Sequence, residues 1–365
     1  MKTAEFTDGT DPILNGLRTL YASRGYTHYK MNKFEEYDLY AGNKDFLISD
    51  SVITFTDGTG KLLALKPDVT LSIVKNTPDT VNGTKKLWYN ENVYRVAKGS
   101  RSFREIMQVG LECIGSVDGV CVREVLSLAL NSLKTVGGAC VLSVSHLGIL
   151  NELMDSLGIP DAERPALLGL IGEKNLHELG SALDRLGVGK EKADLLLSLP
   201  VLRGSTEEIL ASLNEALHGL VSKGTLSEFT SVLGGLAGEK EIVIDFTVVS
   251  DLHYYSGFVF KGYVEGIPAS VLSGGQYDRL MRKMGKRAGA IGFAVYLDLI
   301  GQYQKSTTAF DADVLLLYDA SSSAAAVCAE ADRLVADGKS VRTASVVPEG
   351  LSFRETVTMR EGKVI

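Results

Sequence analysis

The chain has 365 residues, 45% of them hydrophobic and 23% charged, which suffices for two or three domains with a substantial core and excludes a disordered or fibrous polymer. Its formal net charge of −7 argues against an extended nucleic-acid-binding surface. Cys113, Cys121, Cys140 and Cys328 show neither CxxC spacing nor histidine partners, so no metal site or disulfide framework is expected; with no apolar run near the roughly 20 residues that span a membrane, a cytoplasmic protein is expected.

In chain order, DPILNGLRTLYASR spaces Ile13, Leu17, Leu20 and Tyr21 along one helical face, with Gly25 as the stop, and an extended stretch follows through Tyr29. VITFTDGTGKLLAL over 52–65 reads as a hairpin turning at Asp57-Gly58-Thr59-Gly60. KPDVTLSIVKN then starts a helix, with Pro67 in its first turn and Asp68 near the positive end of its dipole. Residues 86–96 and 104–115, joined by AKGSRSF, predict an antiparallel pair, followed by an amphipathic helix in VREVLSLALNSLKTVG and a strand in CVLSVSHLGIL. From about 150 to 238 the leucine-rich texture is helical in period throughout. Strand character returns over 241–264 and continues into SVLSGGQYDRLM and AGAIGFAVYLDLIGQY, and 311–347 reads as one βαβ unit. The expected class is α+β, an antiparallel sheet flanked by helices: a core in two parts, 1–148 and 239–306, an all-helical insertion over 149–238, and a small C-terminal segment over 307–365.

The stretch SFREIMQVGLECIG carries the most chemistry. With a period of two, Ile106, Gln108, Gly110, Glu112 and Ile114 share one face, and Glu105, Met107, Val109, Leu111 and Cys113 share the other. An amide and a carboxylate astride a bare glycine suit a pocket floor, where the glycine leaves room for a ligand on the strand. An exposed polar strand face is the bland alternative. Asp68 is equally a favourable charge in a first helical turn, Tyr254 and Tyr255 are equally core and surface tyrosines on opposite faces, and His146 and His253 read as structural histidines. Gly274 and Gly275 suggest a tight turn with close packing. Arg95, Arg101 and Arg104 are either a solvated loop cluster or an anion site.

Taken in order, LALKPDVTLSIVKN, KLWYNENVYRV, SFREIMQVGLECIG, LHYYSGFVF, LSGGQYDRL and AGAIGFAVYLDL resemble the core of histidyl-tRNA synthetase, a class II aminoacyl-tRNA synthetase, over roughly residues 10–305. The resemblance maps the family's histidine pocket onto Asp68, Thr70, Gln108, Glu112, Tyr254 and Tyr255, and the ATP-holding arm onto 86–115. Adenylation needs cations at the α-phosphate. Arg95 keeps the arm's arginine, but the acid expected two residues later is Ala97, the arginine expected after Asp298 is Leu299, and that expected before Leu252 is Ser250. Losing one such group costs on the order of 100-fold in rate, so adenylation is expected to be lost.

A synthetase-like core with a kept pocket, altered catalytic positions and only half of an anticodon-binding-like domain resembles the regulatory subunits of ATP phosphoribosyltransferase. That likeness implies a homodimer through the class II core, assembly with a short catalytic subunit in a hetero-octamer, histidine as effector, and no cofactor, metal or nucleic-acid partner. Arg95 and Arg104 are the anion-site candidates. Asn32, where a proline is usual, Gln276, where GGRYD has arginine, and the segment Ser250-Asp251-Leu252-His253 depart from the pattern and leave the hold on a ligand carboxylate open. Competing readings are a divergent histidyl-tRNA synthetase or other ATP-dependent amino-acid ligase, and a free-standing amino-acid sensor.

Overall fold

The computed structural model describes residues 10–43, 47, 52–96, 102–249, 254–303, 310–361 and 363–365. Through the core the elements run α1 (Asp11–Ser23), β1 (Thr27–His28), β2 (Phe34–Glu36), α2 (Tyr37–Ala41), β3 (Thr54–Thr56), β4 (Leu62–Leu65), α3 (Thr70–Asn76), β5 (Thr84–Val96), β6 (Phe103–Gly115), α4 (Gly119–Val136) and β7 (Cys140–His146). Six helices follow, α5 (Leu147–Ser156), α6 (Arg164–Gly172), α7 (Leu176–Arg185), α8 (Lys190–Ser198), α9 (Thr206–Ala216) and α10 (Lys223–Gly234). The core then closes with β8 (Ile242–Ile244), β9 (Phe258–Val264), β10 (Leu272–Gln276), α11 (Asp278–Lys283), β11 (Gly289–Tyr296) and α12 (Leu297–Tyr303). After Tyr303 the chain forms a second compact unit.

Strands pair in the order β1-β5-β6-β11-β10-β9-β7-β8, antiparallel except where β1 and β8 join the edges in parallel. The β5–β6 hairpin keeps register from Thr84↔Gly115 to Val96↔Phe103. The expected division of its faces holds: Val109, Leu111 and Cys113 belong to the core under α1 and α4, whereas Ile106 and Ile114 belong to the cluster on the other side. α4 explains the first core, since Val122, Val125, Leu126, Ala129, Leu133 and Val136 are all buried along one stripe. Asp118 starts that helix by accepting from Cys121 N at 2.9 Å. In α1, Ile13, Leu17 and Tyr21 are buried, and Gly25 at φ +77° ends it as expected. A small sheet, β2-β4-β3, stands on the opposite side beside α3. Its 57–60 turn is held by Asp57, whose Oδ1 accepts from Thr59 N at 2.8 Å and Lys61 N at 2.9 Å.

Three expectations need correction. The run 241–264 is not continuous strand: β8 ends at Ile244, because the Asp245 carboxylate accepts from Thr247 N at 3.0 Å and Thr247 Oγ1 at 2.6 Å and turns the chain. Gly274 and Gly275 lie within β10 rather than in a turn, although their close packing is as expected: a Cβ on Gly275 would meet Phe258 O and the Tyr255 ring, each at 2.6 Å. The last unit is more than βαβ. Its strand β12 (Ala312–Tyr318), helix α13 (Ala324–Ala336) and strand β13 (Val341–Ala344) are joined by β14 (Phe353–Arg360), parallel to β12 on its free edge, and by β15 (Lys363–Val364).

His146 has a structural place between β7 and α5. Ile149 N donates to its Nδ1 at 3.2 Å, which puts the proton of the neutral ring on Nε2, and the Phe229 and Phe258 rings stand edge-on to it. Burial lowers its pKa from 6.5 to about 4, with Glu152 pulling weakly the other way. The unfolded chain therefore takes up this proton first on acidification: the stability is fully present above pH 6.5 and is lost as pH falls toward 4, by up to about 3 kcal/mol. His146→Asn keeps an acceptor for Ile149 N without titrating. The stability gap between wild type and this variant, from urea unfolding, is expected to shift by about that amount between pH 7 and pH 4; a constant gap would refute the assignment.

Candidate ligand-binding site

On the face of the sheet away from α1 and α4 lies a cavity of about 400 Å³. Its floor is the row of β6, β11, β10 and β9, and its walls come from the start of α3 and the segment around Tyr254. Asp68, Thr70, Gln108, Glu112, Tyr254 and Tyr255 all line it, as does Arg95. Residues distant in sequence therefore meet because β6 is central, α3 begins above it, and β9 arrives from the far side of the insertion.

Glu112 is 2% exposed and Gln108 is 3% exposed. Each Glu112 oxygen receives one hydroxyl, Oε1 from Thr70 at 2.8 Å and Oε2 from Tyr277 at 2.6 Å. Burial nevertheless dominates and pushes the carboxyl up to about 8; the two hydroxyl donors oppose this, and nearby Asp68 adds to it. Asp68 is also raised by burial, offset in part by backbone N–H donors and by Arg95. Its Oδ1 accepts from Leu71 N at 2.9 Å. Pro67 and Asp68 lie before α3, which begins at Thr70, rather than in its first turn; Asp68 still accepts from an N–H of that turn while it lines the cavity.

The Gln108 side chain has no hydrogen-bond partner among the described residues, so its amide is available in the cavity. Tyr254 and Tyr255 do not alternate between faces. They sit before β9 outside any strand, both line the cavity, and their ring centroids are 4.5 Å apart. Arg95 Nε donates to Pro67 O at 3.0 Å, which holds the guanidinium over the cavity. Arg104, its direct cross-strand partner, is exposed and does not line it. Beneath this corner the buried Lys66 pairs with Glu91, whose other oxygen accepts from Met31 N at 2.8 Å.

The glycine between Gln108 and Glu112 has a different use from the one expected. A Cβ there would meet Tyr89 Oη at 2.5 Å and Phe293 O at 2.3 Å, so Gly110 admits the Tyr89 phenol from the neighbouring strand rather than leaving open floor. Gly292 does the same for Glu112, with Oε2 only 1.8 Å from where a Cβ would stand. Sequence reasoning missed Tyr89, Lys261, Tyr277 and Tyr296, all of which line the cavity. For Tyr277 the SGGQYD stretch was a usable signal; Tyr89 is revealed only by strand register.

A profile described as histidyl-tRNA synthetase matches residues 8–300. The ATP phosphoribosyltransferase regulatory subunit of Caldanaerobacter subterraneus subsp. tengcongensis is 31% identical over 296 residues, 79% of this chain and 76% of that protein. The chain belongs to the histidyl-tRNA synthetase family, among its ATP phosphoribosyltransferase regulatory subunits. A solved ATP phosphoribosyltransferase regulatory subunit/histidyl-tRNA synthetase from Bacillus halodurans has the same fold, with a TM-score of 0.77 at 24% identity and coverage of 98% of this chain and 99% of that one. A chain of the ATP phosphoribosyl transferase complex from Thermotoga maritima matches with a TM-score of 0.62 at 18% identity, over 81% of this chain and 98% of that one.

For a regulatory subunit built on a synthetase frame, the altered catalytic positions are informative. Leu299, where a synthetase arginine is expected, packs against the main core instead of presenting a cation. Gln276, in place of the GGRYD arginine, is buried and its Oε1 accepts from Phe258 N at 2.7 Å, a structural use. Ala97, Arg101, Ser250, Asp251 and His253 lie outside the described residues. Among the described residues no cluster of three metal-ligating side chains occurs, and no helix is long and apolar enough to cross a membrane.

Proposed function

We propose that this chain is a non-catalytic regulatory subunit that holds histidine in the cavity and sets the activity of a short ATP phosphoribosyltransferase catalytic subunit, activating it and mediating feedback inhibition by histidine. The observation that carries this reading is the buried Gln108 amide, which has no hydrogen-bond partner among the described residues and lines the same cavity as the carboxylates of Asp68 and Glu112. Those groups suit the ammonium and imidazole N–H donors of histidine and its carboxylate. Leu299, Ala97 and Ser250 support a binding role without adenylation. The assembly we propose is a homodimer through the class II core, joined to the catalytic subunit in a cytoplasmic hetero-octamer. Histidine acts by linkage: it binds one quaternary state more tightly, and the partner's activity follows that population, with a coupling of about 1–3 kcal/mol.

Calorimetry is expected to show histidine binding to the pure chain, and sedimentation to show a complex with the short catalytic subunit. Histidine-dependent exchange of pyrophosphate into ATP is expected to be absent. Exchange by the pure chain would instead establish a divergent synthetase or amino-acid ligase. Histidine binding without complex formation would leave a free-standing sensor.

A further inference from the structure

Lys261 sits on β9 at the end of the cavity opposite the carboxylates. In register it stands beside Ser273, and the row continues through Ala294 and Gly110 to Tyr89, so all five residues face the cavity side of the sheet. Lys261 lines the cavity and is half-buried, yet among the described residues its ammonium has no hydrogen bond or ion pair. Around it the lining is hydroxyl-rich: Ser270, and Ser273 hydrogen-bonded to Tyr296 at 2.7 Å. Asp68 and Glu112, the carboxylates of the lining, belong to α3's approach and to β6. Three strand spacings separate β6 from β9, roughly 14 Å between backbones. A half-buried cation with no counter-charge among the described residues is suited to an anionic ligand group, which offsets the cost of its burial.

We infer that the β9–β10 end of the cavity is an oxyanion subsite centred on Lys261, with Ser273, Tyr296 and Ser270 supplying hydroxyl donors. It takes a phosphate or carboxylate group while the carboxylate end holds a cationic or N–H-rich group. With Asp68 and Glu112 at one end, offset in part by Arg95 beside Asp68, and Lys261 at the other, the cavity is polarised along the sheet and selects a ligand, or a pair of ligands, with opposite charges at its two ends. The span favours a phosphate separate from the amino acid over the amino acid's own carboxylate. This rests on the reading of the cavity as a ligand site.

The test uses the full-length chain as wild type, Lys261→Met and Lys261→Arg, each checked by thermal unfolding, and titrates them with pyrophosphate, histidine and histamine, which lacks the carboxylate. Wild type is expected to bind pyrophosphate, Lys261→Met to lose roughly tenfold or more of that affinity, and Lys261→Arg to retain most of it. If the oxyanion is instead histidine's own carboxylate, Lys261→Met weakens histidine roughly tenfold and leaves histamine unchanged. Lys261→Met indistinguishable from wild type toward pyrophosphate and histidine would overturn the subsite, while leaving the histidine pocket standing. Wild type that binds none of the three would overturn both.

Discussion

Glu112→Gln is expected to weaken histidine binding by roughly 100-fold or more and, at the same time, to stabilise the empty protein near pH 8. Both effects come from one buried carboxyl. In the unfolded chain it titrates at its ordinary 4.5, whereas in the empty cavity burial holds the proton until about pH 8. A folded pKa raised above the unfolded one gives stability that is complete below pH 4.5 and is lost as pH rises toward 8, a loss on the order of 3–5 kcal/mol over that window. Glutamine stays neutral throughout: its oxygen still accepts from one of the Thr70 and Tyr277 hydroxyls and its NH2 donates to the oxygen of the other once that hydroxyl turns, so the variant escapes this loss. The expected melting temperatures of the two proteins converge near pH 4.5 and diverge, with the variant higher, toward pH 8. Binding follows the opposite logic. Histidine's cationic groups favour the ionised carboxylate, so wild type releases a proton on binding and its affinity climbs toward pH 8 by up to tenfold per pH unit. Calorimetry in buffers of different ionisation enthalpy reads that proton directly. Equal histidine affinity in the two proteins, or no pH dependence in wild type, would remove Glu112 from the binding role. The sign is opposite to that of His146, which loses stability toward acid, so the two variants separate the contributions within one set of titrations.

The contrast between these two groups also marks what the sequence could reveal. The period-two faces of β6 were legible because alternation is enforced when one side is core and the other is cavity: Val109 and Leu111 had to be apolar, and Gln108 and Glu112 did not. The ordered motifs placed six cavity residues at the approach to and start of α3, on β6 and in the Tyr254–Tyr255 segment. What lay beyond reach depends on register. No local pattern indicates that Tyr89 leans over Gly110, that Gly292 yields space to Glu112, or that Lys261 stands in the same row of the sheet as Gly110. The run Ile242–Val249 misled for a local reason, since β-branched residues mask an Asp245 turn whose hydrogen bonds overrule their strand preference. In β14, Phe353, Val357 and Met359 share a parity that was readable, although only Met359 is fully buried.

Gly292→Ala is expected to destabilise the fold by about 2–4 kcal/mol, a large effect for one methyl group. The added carbon would stand 1.8 Å from Glu112 Oε2 and 2.4 Å from Leu111 O. A flexible carboxylate tip can turn away, but doing so breaks its bonds with Thr70 and Tyr277. The Leu111 carbonyl cannot yield in the same way. It lies in β6, and Gly292 on β11 is paired with Glu112 on one side and Gly275 on the other, in the middle of the eight-stranded sheet. Moving either strand strains ladder hydrogen bonds that hold the whole floor in register. The double variant Gly292→Ala with Glu112→Ala separates the two clashes. If the carboxylate contact carries part of the cost, the pair is non-additive by about 0.5 kcal/mol or more in the direction of rescue. The part that remains belongs to the backbone contact. Gly58→Ala is the control, since nothing lies within 4 Å of its added carbon. Urea midpoints for five chains, the wild type, Gly292→Ala, Glu112→Ala, the double variant and Gly58→Ala, decide the matter: a Gly292→Ala midpoint equal to that of Gly58→Ala would mean that β11 can shift without cost, and that the carboxylate's place is not set by the glycine opposite it.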